Sequence, residues 1–453
     1  MAEPGLTSVE LFSGGGGLAY AMHRTGFRHL LVNELERRAC ETLRGNAGDW
    51  PLVPGDVREL DFAPLAGKVD VVAGGVPCQP WSLGGAHRGY DDPRNLWPEL
   101  FRCVRQTRPR AVIAENVRGL LRPSFRPYYE YILRELALPF ERRVDGEDWR
   151  DHDQRLTKAL ARANGDDTER YDVFCLPVNA ADYGVPQIRH RVFVIAFRRD
   201  LALTTWAPPG PTHSESALLA TQTDGTYWTR HHLRRPGGSG LSAQGAGSVD
   251  PVCRERRLAD PGRLVSAGPG GLVSAGPGRL VPAGPGGLVS AGPGRLVPAD
   301  PAHSESAAPA QPAERGGPRT PWRTLRDATA DLPEPVGDRI EHPDWLHHFG
   351  WPGARVYRGH TPNELDRPAK TVKAGVHGVP GGESVLRRDD GSIRYLTVRE
   401  VARIMTFPDH WWLAGPRGEQ MRQLGNAVPV LLGEVMASAV GSALLSDRHQ
   451  RLA

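Results

Sequence analysis

The sequence predicts an α/β fold, a sheet of parallel strands alternating with helices, joined to a second, smaller domain that carries a low-complexity insert. Three observations predict it. Over the first 120 residues, short apolar runs at 8–12, 30–32, 69–73 and 111–114 are separated by amphipathic stretches, the alternation expected of βαβ units. The first run enters the next segment through four successive glycines, Gly14 to Gly17, a strand-to-helix turn. Near residue 208 the composition shifts, and from Leu264 the chain repeats every eight residues as LVSAGPGG with small variations.

In order along the chain, the first run opens the sheet and leads into ELFSGGGGL (10–18), where the glycines let a ligand approach the backbone and a helix N-terminus. Such turns also arise for steric reasons alone. Glu34 stands 20 residues after Gly14 at the end of the second run, where an acid in this fold accepts hydrogen bonds from ribose hydroxyls. Asp56, before a third strand position, reads either as an acceptor for an adenine amino group or as a turn cap. The next run leads into GGVPCQPWS (74–82), which holds Cys78 between Pro77 and a Gln–Pro pair on a rigid loop at the carboxyl edge of the sheet, where ligands bind. A structural cysteine more often sits inside an apolar element. AVIAENVRGL (111–120) brings Glu115 and Asn116 out at the same edge, two strand ends from Cys78. A carboxyl beside a thiol points to acid chemistry, although Glu–Asn is also an ordinary turn signal.

From 140 to 171 the chain is crowded with charge and reads as a surface insertion, with one exposed helix at 156–163. Runs at 172–177 and 191–197 add strands, the second apolar enough for a sheet centre. About half of residues 261–301 are glycine or proline, a density expected to prevent helix and ladder alike, so the insert at 239–318 is expected to be disordered. Near-copies, PTHSESA and PAHSESA, flank it, as a tandem duplication would leave them. A helical pattern returns at 322–332, and 398–445 has the apolar periodicity of packed helices.

Composition bounds the function. The chain has 453 residues, room for two or three domains, with 53 glycines, 41 prolines and only 39% hydrophobic residues, so part of it is expected not to pack. No apolar run is expected to approach a membrane span, and residues 1–7 lack a signal-peptide pattern, which predicts a soluble, cytoplasmic protein. Cys40, Cys78, Cys103, Cys175 and Cys253 are scattered without a C-x-x-C pair; a zinc ribbon is excluded, and neither a metal nor a disulfide framework is expected. Lys68, Lys158, Lys370 and Lys373 are the only lysines, so arginine carries the basic charge, and a net charge of +4 permits a nucleic-acid partner without requiring one.

Taken together these blocks resemble the bacterial cytosine-5 DNA methyltransferases. ELFSGGGG is similar to the family's cofactor loop, GGVPCQPWS to its nucleophile loop, AENV (114–117) to its acid motif, and DPRNLW (92–97) to the segment beside the cofactor's methionine part. ADYGVPQIRHR (181–191) resembles the block whose Gln187, Arg189 and Arg191 support the active site, RPAKTV (367–372) the block that organises the recognition domain, and RQLGNAVP (422–429) the block that returns to the cofactor. The match leaves out the charged insertion and the repeats. Glu10 stands where Asp is commoner in the family, and Gly15 where many members have another small residue.

The resemblance implies a Rossmann-like S-adenosylmethionine methyltransferase sheet over residues 1–199, completed by 418–453, and a target-recognition domain over 200–417. It implies transfer of a methyl group to C5 of a flipped cytosine in duplex DNA. Cys78 would add to C6, Glu115 would protonate N3, and Arg189 or Arg191 would stabilise charge near O2. S-adenosylmethionine would be held by Phe12, Gly14, Gly16, Gly17, Glu34, Asp56, Pro77, Leu96 and Asn426. Ser82, Arg230, Arg234, Arg235, Thr371 and Lys373 are expected to touch DNA, the arginines in a basic set with Tyr227, Trp228, His231 and His232. The expected partner is double-stranded DNA, with a separate cognate restriction endonuclease; the protein is expected to be a monomer, nucleoid-associated through DNA, with no membrane partner. An RNA cytosine methyltransferase and an inactive DNA-binding scaffold are the rival readings; the long variable region before RPAKTV disfavours the first and the intact Cys78 and Glu115 the second.

Overall fold

The computed structural model describes residues 5–77, 95–162, 165–236, 288–291, 295–298, 318–356, 358, 360–374 and 384–452. The central sheet has the order β3-β2-β1-β4-β5-β7-β6, extended at the β6 side by two further strands. Strands β1 (Thr7–Leu11), β2 (Arg28–Glu34), β3 (Leu52–Pro54), β4 (Val71–Gly75) and β5 (Ala111–Val117) are parallel. The predicted third strand position was misplaced: β3 precedes Asp56, a three-residue edge strand hemmed by Pro51 and Pro54 and too short to show alternation. β6 (Tyr171–Asn179) and β7 (His190–Arg198) form an antiparallel pair, with β7 inserted between β5 and β6 and buried at its middle, as its apolar run predicts.

Alternation divides the core. Val9, Val72, Val112 and Val194 face α3 (Trp97–Thr107) and α4 (Arg126–Ala137), whereas Val71, Ala73, Ile113 and Ile195 face α1 (Gly17–Arg24) and the C-terminal α11 (Val430–Leu452). A third cluster joins α1 and α2 (Arg37–Asn46) to α9 (Val398–Ile404), Trp411 and α10 (Arg417–Asn426). Residues 398–414, assigned from sequence to the recognition domain, therefore pack directly on the cofactor-binding sheet.

Three expectations change. The charged insertion holds α5 (Trp149–Leu160), which begins earlier than predicted, capped by the Asp148 side chain, and is not merely an exposed helix. Trp149, His152, Leu156 and Ala159 are buried against α4, an i, i+3, i+7, i+10 stripe hidden in sequence by the charge on its other face. Within the repeat tract, Leu288–Ala291 and Arg295–Pro298 are strands, paired antiparallel and joined to β6 through Arg295 and Phe174. Gly–Pro density does not exclude a ladder there, because each octad keeps a four-residue Leu-Val stretch between its glycines; the rest of the tract lies outside the described residues. Finally, Arg417–His449 contains a window long and apolar enough to cross a membrane, with mean hydropathy 1.8, contrary to expectation. Of that window 56% is buried, and α11 packs on α1 and on β5, so a core-facing helix explains it.

Past β7 the recognition segment begins with β8 (His213–Ser214), α6 (Glu215–Asp224) and α7 (Thr226–Arg230). The helix expected at 322–332 is shorter, α8 (Leu325–Thr329), started by a capping box between Thr324 and Asp327.

Candidate active site

The carboxyl ends of the parallel strands form one edge, and the segments that follow them meet there. After β1 the backbone is left-handed at Phe12 (φ 56°), Gly14 (φ 54°) and Gly16 (φ 92°), the last being the N-cap of α1. A Cβ on Gly17 would lie 2.2 Å from the Val428 carbonyl, so the turn is shaped by the C-terminal block as well as by the ligand it could admit. The Gly14 N–H donates to Glu34 Oε2 at 2.6 Å and the Glu36 N–H to Oε1 at 2.7 Å. The 20-residue spacing is thus a direct contact. Burial raises the Glu34 pKa in spite of these donors, and each oxygen keeps a lone pair for a further hydroxyl. Asp56 is the turn cap: Oδ1 accepts the Arg58 N–H at 3.0 Å and Oδ2 the Arg58 guanidinium at 2.9 Å.

A cavity lies between the glycine turn, the end of β4 and the junction of α10 with α11, lined by Phe12, Gly17, Gly74, Gly75 and the exposed Asn426 among others. Glu10 lines it too. Its carboxyl is buried, Oε1 has no hydrogen-bond partner, and burial pushes its pKa up to about 8. His29 Nδ1, 3.7 Å away, bonds the Ser8 hydroxyl at 3.0 Å, and burial lowers its pKa to about 4. At neutral pH the two are uncharged neighbours, not an ion pair. Sequence reasoning missed Leu35, 67% exposed directly after Glu34, and Trp411, whose Nε1 donates to the Gly15 carbonyl at 3.2 Å. An apolar residue after a strand-end acid was a usable signal for the first; no spacing rule links Trp411 to a loop almost 400 residues earlier.

The chemical centre is set by the register of three strands. Gly75 in β4 lies opposite Glu115 in β5. The Val76 N–H donates to the Glu115 carbonyl at 3.1 Å, and Asn116 Nδ2 donates to the Val76 carbonyl at 3.2 Å. Glu115 and Asn116 therefore clamp the start of the cysteine loop from an adjacent strand, nearer than the two strand ends expected. Cys78 and Ser82 lie outside the described residues, which stop at Pro77 on this side. β7 runs antiparallel to β5 and brings Arg191 opposite Val117, so that its Nε lies 2.8 Å from Glu115 Oε1. Burial raises the Glu115 pKa, with Arg191 and then Arg189 opposing it. The outcome is a proton-holding acid beside a fixed cation.

Arg189 and Arg191, interchangeable from sequence, differ in structure. Arg189 is wholly buried; Nη1 donates to the Val372 carbonyl (3.0 Å) and Gln187 Oε1 (3.4 Å), and Nη2 to the carbonyls of Gly425 (2.7 Å) and Ala427 (2.9 Å). Gln187 is also buried, its Oε1 accepting the Val372 N–H at 3.3 Å, and the Thr371 hydroxyl donates to the Ile188 carbonyl at 2.8 Å. These three residues fasten the blocks at 181–191, 367–372 and 422–429 to one another. Leu96 occupies the N-cap position of α3 and packs on the core beside it.

The family model for C-5 cytosine-specific DNA methylases matches residues 6–138, 151–227 and 351–442, most of the chain. The chain belongs to the C-5 cytosine-specific DNA methylase family. It is 27% identical over 439 residues to the type II methyltransferase M.Eco47II of Escherichia coli, covering 96% of this chain and 78% of that protein. It is 28% identical over 439 residues to M.PspPI of a Psychrobacter strain, with the same shares covered, and 38% identical over 194 residues to M.NgoMIV of Neisseria gonorrhoeae, covering 43% of this chain and 52% of that one. As a cytosine-5 DNA methylase the protein transfers a methyl group to DNA, and the family's methyl donor is S-adenosylmethionine. The unmatched stretches, 139–150 and 228–350, take in part of the charged insertion and the whole repeat tract.

On the recognition side of this methylase the predicted basic set divides. Tyr227 is 1% exposed and its hydroxyl bonds Thr324 and Asp366, so it is a core residue, not a DNA-reading one. His231 and Arg230 both pair with Asp327, at 2.9 and 2.7 Å, though the Arg230 side chain is still 52% exposed. Arg234, Arg235 and Lys373 are exposed.

Proposed function

We propose that this DNA cytosine-5 methyltransferase is the modification enzyme of a type II restriction–modification pair, acting through Cys78 on a cytosine flipped out of duplex DNA. The observation that carries the reading is the Glu115–Arg191 pair, set across from Gly75 and three residues from Cys78 in sequence. Stacked cytosine does not present C6, so the base must leave the helix. The Cys78 thiolate forms a bond to C6, and the electron pair of the C5–C6 bond moves into the ring toward N3 and O2. Glu115, kept neutral by burial, donates its proton to N3, while Arg191 holds the resulting carboxylate and faces the charge at O2. C5 becomes nucleophilic; after it gains the methyl group it loses its proton to solvent, and the sulfur–C6 bond breaks to restore the thiolate.

S-adenosylmethionine supplies the methyl group when bound. The cavity fits it: the orphaned, buried Glu10 oxygen, the exposed Asn426 amide and the glycine turn offer polar contacts to its amino-acid end, and the spare lone pairs of Glu34 accept ribose hydroxyls. Phe12, Leu35 and Asp56 would hold the adenine, and Pro77 and Leu96 would border the methionine part. Arg230, Arg234, Arg235 and Lys373 would contact phosphates. Bisulfite sequencing of DNA from a host expressing the protein tests this reading: one methylated cytosine in a fixed sequence context supports it, and an unmethylated genome from cells containing folded protein contradicts it.

A further inference from the structure

Arg189 sits where three blocks meet, and the chemistry above uses none of its hydrogens. Its Nη2 bonds the carbonyls of Gly425 and Ala427, on either side of Asn426, and its Nη1 bonds the carbonyl of Val372, which directly precedes the exposed Lys373. The first two carbonyls close the C-terminal end of α10, where aligned peptide dipoles favour a buried guanidinium. A second contact runs alongside. A Cβ on Gly425 would come 2.6 Å from Ala374 N and 2.7 Å from the Lys373 carbonyl carbon, so the last turn of α10 lies against the 373–374 backbone without spare room.

We propose that Arg189 is a positioning residue that couples the cofactor pocket to the DNA-contacting segment beginning at Lys373, so that cofactor seated at Asn426 tightens DNA binding. This rests on the functional reading above, in which Asn426 faces the cofactor and Lys373 the DNA. The route is mechanical. Asn426 moves toward a ligand only with the two carbonyls that flank it, and the same planar guanidinium that holds them also holds Val372. Thermodynamic linkage then requires DNA to tighten cofactor binding by the same factor. A lysine, with one nitrogen in place of the fork, keeps the charge and loses the bridge.

The test measures S-adenosylhomocysteine affinity by calorimetry with and without the duplex identified by bisulfite sequencing. Wild-type protein is expected to gain about 5- to 150-fold in affinity when DNA is present, and Arg189→Lys to keep both separate affinities while losing that gain. Because a buried substitution can impair folding, hydrogen exchange on the wild type gives a second reading: S-adenosylhomocysteine alone slows exchange of the amides at 372–374, which do not line the cavity. An undiminished gain in Arg189→Lys, or binding that leaves 372–374 unprotected, overturns the coupling alone. Failure of the wild type to bind S-adenosylhomocysteine overturns the functional reading and the coupling with it.

Discussion

At the sheet edge the important groups are placed by backbone: the Gly14 N–H on Glu34, the Val76 N–H on the Glu115 carbonyl, and Arg191 brought to Glu115 by β5–β7 register. In the recognition segment, shape rests instead on pairs of charged side chains. Arg326 holds Asp366 and Asp389, Arg394 holds Glu334 and Glu400, and Arg403 holds Asp331 and Asp409. Register is enforced by burial of one face of every strand, because a one-residue slip would turn the apolar set outward. A partly exposed ion pair contributes only about 0 to 1 kcal/mol and can be exchanged for another. The comparison teaches that the chemistry sits on the part of the molecule that cannot shift, and target reading on the part that tolerates replacement.

The largest effect expected from breaking the rigid side is that of Glu115→Gln. It removes the proton for N3 and should lower the methylation rate by about 10²- to 10⁴-fold while cofactor affinity, measured by calorimetry, stays unchanged. An active Gln variant would move the acid elsewhere. Next comes exchange of 206–235 and 322–361 for the corresponding parts of a related enzyme. The chimera should methylate a different sequence at a comparable rate, since unflipped bases are read in the groove and not at the sheet edge; a bisulfite pattern identical to the parent's would erase the division between the two regions. Glu34→Ala should weaken S-adenosylmethionine binding by about 1 to 3 kcal/mol, and DNA binding without cofactor should not change. Equal cofactor affinity in calorimetry would remove Glu34 from the pocket.

The smallest effect concerns Glu10. In the fold it keeps its proton up to about pH 8, whereas the unfolded chain releases it near 4.5, so folding takes up a proton between those values and stability falls as pH rises through them. His29, lowered to about 4, acts in the opposite sense below 6.5, which leaves roughly 6.5 to 8 as the window where the Glu10 loss is seen alone. Thermal melts should therefore fall across that window with a slope approaching ~1.4 kcal/mol per pH unit in wild type and be flatter in Glu10→Gln. Parallel curves for the two proteins would show that Glu10 is ionised in the fold.

Much of the edge was legible because its signals are local or periodic. The apolar alternation located the sheet, the spacing from Gly14 to Glu34 became a 2.6 Å hydrogen bond, and the Pro-flanked cysteine and Glu115 follow adjacent strands. What escaped depends on partners distant in sequence. Arg189 and Arg191 are two residues apart, yet one meets the end of α10 and the other Glu115, a choice made only by tertiary packing. Tyr227 read as a DNA-facing aromatic because nothing local announces Thr324 and Asp366, 97 and 139 residues away. α5 was taken as wholly exposed since its charge outnumbers the four apolar or aromatic-facing positions that bury it.

The central claim is that Cys78 attacks a flipped cytosine, and the most direct measurement is covalent trapping on a duplex whose target cytosine carries fluorine at C5. Fluorine blocks loss of the C5 substituent, so the enzyme that has formed the sulfur–C6 bond and transferred the methyl group cannot release the DNA. The expected result is a denaturation-resistant, cofactor-dependent protein–DNA adduct, mapped by peptide mass spectrometry to the segment containing Cys78 and absent in Cys78→Ser, whose hydroxyl is too weak an acid to supply the nucleophile. An adduct that persists in Cys78→Ser, or maps to Cys40, Cys103, Cys175 or Cys253, would contradict it.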